Sequence, residues 1–396
     1  MSERPERAAP RLSRPELRID ADQGATFVEL FFDLVFVYAV TQVVGLIQND
    51  PTGQGTVRGV LAFWLVWWAW TQFTWTLNSA DTRHRVVELA TLVATAAAFL
   101  MAYALPTAFE DGQGLWFVVP YVVVRLVGLG LFLAVSSDPG MRSAVSRFAS
   151  LSLVGLAVAI VGGVLDTPWR AWAWFAVIVA DLVAAGIAGR SGYWDLRAGH
   201  FAERHGLFVI IALGESLIAV GVTAADVDRT ADLVLVILLG VLLAAELWWT
   251  YFAWVHPTLE RTIDRATGEA RSTMARDAFS FVHFVVVFGI VGLAVGLEAA
   301  VAHPHDPIAP TDLVFLVGGA AAFLLATAVA LWRTTGEVLV PRVVITVLAA
   351  AACVLAASAS ASAPWLLAIL AVGLAGVIVA EARRGSLPDP LETTEN

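Results

Sequence analysis

The sequence predicts an all-α membrane protein that crosses the bilayer about twelve times. The chain of 396 residues is 59% hydrophobic and only 15% charged, and its mean hydropathy is +0.77. Apolar runs of about 20 residues recur along it, each long enough to cross the ~30 Å hydrocarbon core of a bilayer. A soluble fold would have to bury this surface, fifteen tryptophans included, in one very large core. The composition therefore favours a polytopic membrane protein.

Breaks at glycine, proline and charged residues divide the apolar runs into twelve predicted helices, with ends placed to within ~2–4 residues. In chain order they cover residues 27–47, 57–77, 86–105, 115–135, 144–164, 169–188, 206–223, 232–255, 278–299, 312–332, 342–361 and 364–382. An even number of spans brings both termini to the same side of the membrane.

The basic residues, all 24 of them arginine, alternate between the predicted connections. Twenty lie in the N-terminal tail, in the even-numbered connections or after the last span. Only Arg58, Arg170 and Arg229 lie in the odd-numbered connections, and Arg125 lies within the fourth span. Since cytoplasmic loops carry the excess of basic residues, both termini are predicted to be cytoplasmic.

The chain is predicted to consist of two parallel six-helix halves, residues 26–190 and 191–384. They lie between a disordered, Arg-rich cytoplasmic tail (residues 1–25) and an acidic cytoplasmic tail (residues 385–396). The second and eighth helices end in the same pattern, W-T-x-F-x-W, at residues 70–75 and 249–254. Parallel repeats with a site at their interface are a transporter architecture, and a chance match between tryptophan-rich helix ends is the alternative.

Charged side chains inside the predicted spans mark the candidate site. A charge near the bilayer centre costs at least ~2.5 kcal/mol, so such residues usually line a cavity or pathway. Glu29 and Asp33 are four residues apart and share one face of the first helix. Glu88 and Glu298, at span ends, are expected to meet water. At ~1.5 Å per residue, four further charges lie near the midplane: Arg125, Asp181, Glu215 and Glu246.

These charges have a functional and a structural interpretation. The acids outnumber the one arginine at this depth, so some are expected to be protonated and to carry protons. Arg125 can bind an anionic solute, or it can form a static ion pair with Asp181 that only joins helices four and six. Histidine suits proton exchange near neutral pH, which makes His205 and His283 candidates, although a membrane histidine also serves as a hydrogen-bonding partner.

Two further features lie near these charges. Glu203 belongs to a charge cluster at the cytoplasmic rim. The GxxxG pattern of Gly292 and Gly296 is interpreted as a helix-packing face.

Several functions are not predicted. The net charge of −10 comes without a basic tract, which argues against nucleic-acid binding. The sequence has no HExxH, Walker A or nucleophile motif, so no catalytic residue, metal, cofactor or direct use of ATP is expected. With the single cysteine Cys353, no intramolecular disulfide can form.

The stretch FVELFFDLVFVYAVTQ at residues 27–42 and the blocks ERHGLF and LGES at 203–208 and 213–216 resemble the bacterial low temperature requirement protein A family. FVHF at 281–284 and GLE at 296–298 fit the same pattern. The resemblance covers residues 20–384 and implies a multi-pass protein of the bacterial inner membrane, but no biochemical activity. The residues that it singles out are Glu29, Asp33, Glu203, His205, Glu215, His283 and Glu298.

The leading functional hypothesis is a proton-coupled secondary transporter of a small solute, with the acids meeting in one water-accessible cavity between the halves. An ion channel is the second hypothesis, because Phe31-x-Asp33 is similar to the F-S-D motif of the non-canonical potassium channels, with Phe32 in place of the serine. A third is a membrane stress-adaptation protein that transports nothing. The lipid bilayer and an unidentified solute or ion are the expected partners, and a homo-oligomer stays open.

Overall fold

In a computed structural model the protein is a bundle of long helices, described over residues 17–18, 24–136, 138–189, 194 and 196–384. All twelve predicted helices are present. Two of them, the predicted eighth and ninth, contain a π-helical turn, at Tyr251–Val255 and Arg276–Val282. The helices are α1 Phe27–Asn49, α2 Gly53–Ser79, α3 Arg85–Ala104, α4 Gly114–Val135, α5 Pro139–Val164, α6 Trp169–Gly189, α7 Ala198–Ala225, α8 Ala231–Thr250, α9 His256–Arg265, α10 Gly268–Ala275, α11 His283–Ala302, α12 Pro310–Thr335, α13 Val340–Ser358 and α14 Ala363–Arg384.

Within the described residues, eleven helical stretches are long and apolar enough to cross a membrane. The predicted second span, α2, is not among them, because tryptophan, threonine and glutamine replace much of its aliphatic surface. Most of α2 is buried, and Trp67 and Trp70 are fully enclosed. Since neighbouring helices shield it from lipid, α2 does not need an apolar surface. The fold is that of a polytopic membrane protein.

Several helices are longer than the sequence predicted. The seventh was expected to start at residue 206, but α7 begins at Ala198. Charged residues were read as the ends of spans, and this was wrong for Arg204 and Arg342. Both lie inside helices, at most 1% exposed, because each is neutralised there by an acidic partner.

The helices of the two predicted halves have matching neighbours. In the first half α1 packs on α3, α3 on α4, and α5 on α6; in the second, α7 packs on α11, α11 on α12, and α13 on α14. α1 also packs against α7. This order is what a parallel repeat requires, and the division into residues 26–190 and 191–384 stays a prediction.

The two predicted tails are only partly described. Residues 1–16, 19–23 and 385–396 lie outside the described residues. Of the N-terminal tail, Leu17 is held against the bundle, where its carbonyl accepts a hydrogen bond of 2.8 Å from the Asp81 amide.

Glycines bring α11 and α12 into close contact. A Cβ atom at Gly319 would lie 2.3 Å from the Leu293 amide nitrogen, and one at Gly296 would lie 2.5 Å from the Leu316 Cα. A Cβ at Gly292 would meet the Gly319 Cα at 3.3 Å. The packing role predicted for Gly292 and Gly296 is confirmed, since only glycine lets the two backbones approach this closely.

Candidate functional site

A buried ionic network joins the first helix of each predicted half. Glu29 and Asp33 lie one turn apart on α1, and His200 and Arg204 lie one turn apart on α7. Residues four apart share a helix face, so two acidic side chains on α1 meet two basic side chains on α7. All four are at most 2% exposed. We call these four residues the seam network, and the α1–α7 contact the seam.

Arg204 is the centre of the seam network. Its Nη1 donates to Glu29 Oε1 at 2.7 Å, while its Nε and Nη2 donate to the two oxygens of Asp33 at 3.0 and 2.6 Å. The contact with Asp33 is bidentate, the strongest geometry for an arginine–carboxylate pair. Breaking a buried pair of this kind costs about 3–5 kcal/mol. The network therefore holds the seam closed at this end.

Glu29 has a second, local role. It forms a capping box with Thr26, whose backbone N and hydroxyl each donate to Glu29 Oε2 at 2.9 Å. Its Oε1 lies 3.0 Å from His200 Nε2. The Asn78 amide of α2 lies 3.2 Å from His200 Nδ1. The contacting atom of Asn78 is its amide nitrogen, which can only donate, so His200 Nδ1 accepts and Nε2, on the side of Glu29, carries the hydrogen.

Aromatic and imidazole rings enclose the other side of the network. Trp70 Nε1 donates to Asp33 Oδ1 at 2.7 Å, and its ring packs edge-on against His205 at 4.9 Å. His205 Nδ1 lies 2.8 Å from the Phe201 carbonyl, so it carries the hydrogen. His205 Nε2 is buried and has no hydrogen-bond partner. The ring of His283 lies 5.7 Å from that of His205.

His283 is placed by the two π-helical turns. Its Nδ1 lies 2.7 Å from the Ala278 carbonyl, five residues earlier, and its Nε2 lies 2.7 Å from the Tyr251 hydroxyl. The carbonyl can only accept, so Nδ1 carries the hydrogen and Tyr251 donates to Nε2. Such turns are frequent at functional sites, and here they bring the ends of α8 and α11 to the same cluster.

An open groove of about 460 Å³ lies beside the seam network. His200 lines it, although its side chain is 1% exposed, and Glu203 stands at its edge with its carboxylate accepting from the Ala25 amide at 3.0 Å. His256 and Glu260 of α9 also line the groove. The His200 side chain therefore lies between this open groove and the buried Glu29.

Arg125 and Asp181 form a separate, sealed pair. Arg125 Nη2 donates to Asp181 Oδ1 at 3.0 Å, and both side chains are at most 1% exposed. Arg125 also donates to the Tyr121 hydroxyl at 2.6 Å and to the Gln72 side chain of α2. The contacts with Asp181 and Gln72 fix α4 to α6 and α2, and the contact with Tyr121 lies within α4. This geometry matches the structural interpretation of the pair.

Glu215 and Glu246 differ from the other buried acids. Glu215 is 2% exposed and Glu246 is 9% exposed, and in each the Oε2 atom has no hydrogen-bond partner. The Thr41 hydroxyl of α1 and the Glu298 carboxylate of α11 face Glu215. Glu246 lies on α8, one turn before Thr250.

A third buried pair was missed from the sequence. Arg342 of α13 donates to the two oxygens of Glu381 on α14 at 2.6 and 2.9 Å, and to the Thr327 hydroxyl at 2.5 Å. With Arg204 and Arg125 this makes three buried arginines paired with acids. The expectation of one arginine among many acids was wrong, because two of these arginines were assigned to connections.

The predicted site residues do not meet in one cavity. Glu29, Asp33, His205 and His283 lie together at one end of the seam, and Glu203 lies at the rim of the groove. The Arg125–Asp181 pair, Glu215 and Glu246 occupy three other places. A small cavity of about 50 Å³ that α2, α6 and α10 help to line has both aromatic and polar side chains in its wall and contains none of these acids. Across the described residues, no three His, Cys, Asp or Glu side chains group as a metal site would need.

Helices of this length and apolarity, joined by buried ion pairs, define a multi-pass membrane protein. The sequence matches the family model of the bacterial low temperature requirement A protein over residues 24–379, and the chain belongs to that family. The resemblance read from residues 27–42 and 203–216 is thereby confirmed. An uncharacterized protein of Rhizobium meliloti (strain 1021) is 30% identical over 319 residues, which span 76% of each chain. No solved structure matches this chain.

Proposed function

We propose that this protein is a proton-coupled secondary transporter of a small solute in the cytoplasmic membrane, with both termini in the cytoplasm. The observation that carries the proposal is the Glu215 carboxylate, which is buried in the seam with an unpartnered oxygen. An ionised carboxylate is costly to bury without a partner, so it has to take up a proton or another cation. Reversible binding of this kind is the elementary step of proton coupling.

The position of Glu215 along the seam supports alternating access. Eleven residues, or ~16 Å, separate it from Arg204 on α7. Phe36 and Phe208, both fully buried, pack in between with their rings 6.2 Å apart. The seam network and this aromatic layer block the route to Glu215 from the end that the arginine distribution assigns to the cytoplasm.

The other end of the seam is less tightly closed. Gln48 of α1 donates to Glu298 of α11, and both side chains are only half-buried. Glu298 in turn faces Glu215. A transporter with a central site requires a deep binding group that is blocked from one side of the membrane and approached from the other.

The test uses inside-out membrane vesicles that contain the protein and are acidified by respiration. We expect the small-molecule filtrate of a bacterial lysate to evoke a proton flux, read from a pH-sensitive dye, that vesicles without the protein lack. Glu215→Gln should abolish this flux, because the amide cannot bind and release a proton. Glu246→Gln is the matched control and should keep it, because this acid lies outside the seam.

The same experiment separates the alternatives. A flux that continues without solute and survives Glu215→Gln would favour the ion channel. No response of the parent vesicles to the filtrate would contradict transport coupled to protons.

A further inference from the structure

We infer that the solute that exchanges with the proton at Glu215 is a small monovalent cation, of the ammonium or alkali-metal type. This inference rests on the proposed transport function and names the substrate class of the same site. It depends on three features of the described chain: the pairing of the buried arginines, the oxygen atoms around Glu215, and the space beside them.

The buried arginines leave no positive side chain to hold an anion in the seam. Arg204, Arg125 and Arg342 each pair with an acid at 3.0 Å or less. A fourth buried arginine, Arg170, lies at the far end of α6 and donates to the Ala108 carbonyl at 3.0 Å, beside the charges of Asp111 and Asp166. No arginine or histidine of the described chain forms an ion pair with Glu215. The unpaired charge in the seam is therefore negative.

Oxygen atoms surround the unpaired charge. The Thr41 hydroxyl, which lies 3.2 Å from the Val37 carbonyl, also hydrogen-bonds to the Glu215 side chain, so its oxygen lies next to the carboxylate. Glu298 adds a second carboxylate, one oxygen of which accepts from Gln48. Two like charges placed near each other favour the uptake of a cation between them. Carboxylate and hydroxyl oxygens suit hard cations and ammonium groups alike.

There is room for a ligand on the same face of α1. Thr41, Gly45 and Gln48 follow one another at helical spacing, so they share the face that Glu215 and Glu298 approach. A Cβ atom placed on Gly45 would meet nothing within 4 Å. The open space at Gly45 is therefore next to Thr41 and Gln48, which contact Glu215 and Glu298, and it provides the space that a small ligand needs.

Competition for one carboxylate explains the coupling. The protonated Glu215 releases its proton when a cation takes its place, and the cation leaves when the proton returns. The charge of Glu215 is compensated in both states, by the proton or by the cation, and the empty, ionised state is the costly one because it is buried. Exchange of one cation for one proton follows without a second ion site.

The experiment measures proton release from the purified full-length protein in weakly buffered detergent solution that contains a pH dye. Methylammonium chloride is the first probe, and sodium chloride is the second. We expect at least one of them to release protons, with saturation at the concentration of the protein. Glu215→Gln should show no release, Glu215→Asp should keep it, and Glu246→Gln should respond as the parent does. Thermal unfolding of each variant confirms that it is folded.

The outcomes separate the ligand types and the two proposals. Release by methylammonium alone assigns an organic ammonium solute, and release by sodium assigns a metal cation. Equal release from the parent and Glu215→Gln, or none from the parent with either salt, overturns the inference. If the vesicles still show a solute-evoked proton flux in that case, the transport proposal stands with a solute of another class. If the vesicles show none, transport itself fails.

Discussion

The buried acids of this protein differ in what neutralises them. Asp33 and Asp181 each face an arginine in two-point contact, and Glu29 shares Arg204 with Asp33. Glu215 and Glu246 keep an oxygen without any partner. An ion pair stabilises a folded arrangement of helices, whereas an unpaired buried acid has to bind something. The partners therefore separate the paired carboxylates, which join helices, from Glu215 and Glu246, and of these two only Glu215 lies in the seam.

The Arg125–Asp181 pair gives a test at the scale of the residue. Arg125→Met leaves Asp181 buried without its counter-charge, and we expect a loss of about 3–5 kcal/mol in unfolding free energy. The double variant Arg125→Met/Asp181→Leu removes both charges and should recover most of that loss. Thermal unfolding in detergent measures both. A single variant as stable as the parent would contradict the role, and a double variant that is stable but lacks the proton flux would assign the pair to transport.

At the scale of the helix, two kinds of surface hold the bundle together. Charged faces join α1 to α7 through side chains four residues apart. Small residues join α11 to α12, where Gly289, Gly292, Gly296 and Gly319 allow backbone contact. Without water to drive association between helices, van der Waals packing and interhelical polar contacts supply the stability. The glycine contact between α11 and α12 leaves no room for an added side-chain atom.

Gly319 and its neighbour Gly318 form a matched pair for testing this contact. A Cβ at Gly319 would lie 2.3 Å from the Leu293 nitrogen, whereas one at Gly318 would meet nothing within 4 Å. Gly319→Ala should lower the thermal midpoint, because α11 and α12 have to separate. Gly318→Ala should leave it unchanged or raise it, since alanine favours helix by ~1 kcal/mol over glycine. Equal midpoints for the two variants would show that the helices adjust without cost.

At the scale of the whole molecule, the orientation in the membrane decides which end of the seam faces the cytoplasm. The arginine distribution predicts that the seam network lies at the cytoplasmic end. The pairing of Arg204 and Arg342 inside helices removes only two of the twenty arginines predicted for that side. The excess of positive charge therefore persists after the correction. The same prediction puts Glu298 toward the external side.

Cysteine labelling tests this orientation. In a Cys353→Ala background, Asp228→Cys places a thiol between α7 and α8, and Glu269→Cys places one at the start of α10. A membrane-impermeant maleimide should label the first in intact cells and the second only after permeabilisation. The reverse pattern would put both termini outside. Labelling of both positions from the same side would contradict the odd number of crossings between them.

Sequence reasoning located most of the site residues but not their partners. Glu29 and Asp33 were found from their burial in an apolar run, yet His200 and Arg204 were missed because the seventh helix was started at residue 206. The signal was present, since His200 and Arg204 have the same four-residue spacing as the acids opposite them. The Thr26-x-x-Glu29 capping box is a second sequence signal, and it marks the start of α1.

The sequence by itself determined the fold class, the twelve helices and the family, because the hydrocarbon core imposes a length and an apolar composition that can be read locally. The tertiary structure decided which charges neutralise each other. Arg204 meets Asp33 across 171 positions of the chain, and Arg125 meets Asp181 across 56. Such pairs depend on which helix faces lie together, and no local pattern encodes that. It is the packing of the helices, which the sequence does not show, that leaves Glu215 without a counter-charge.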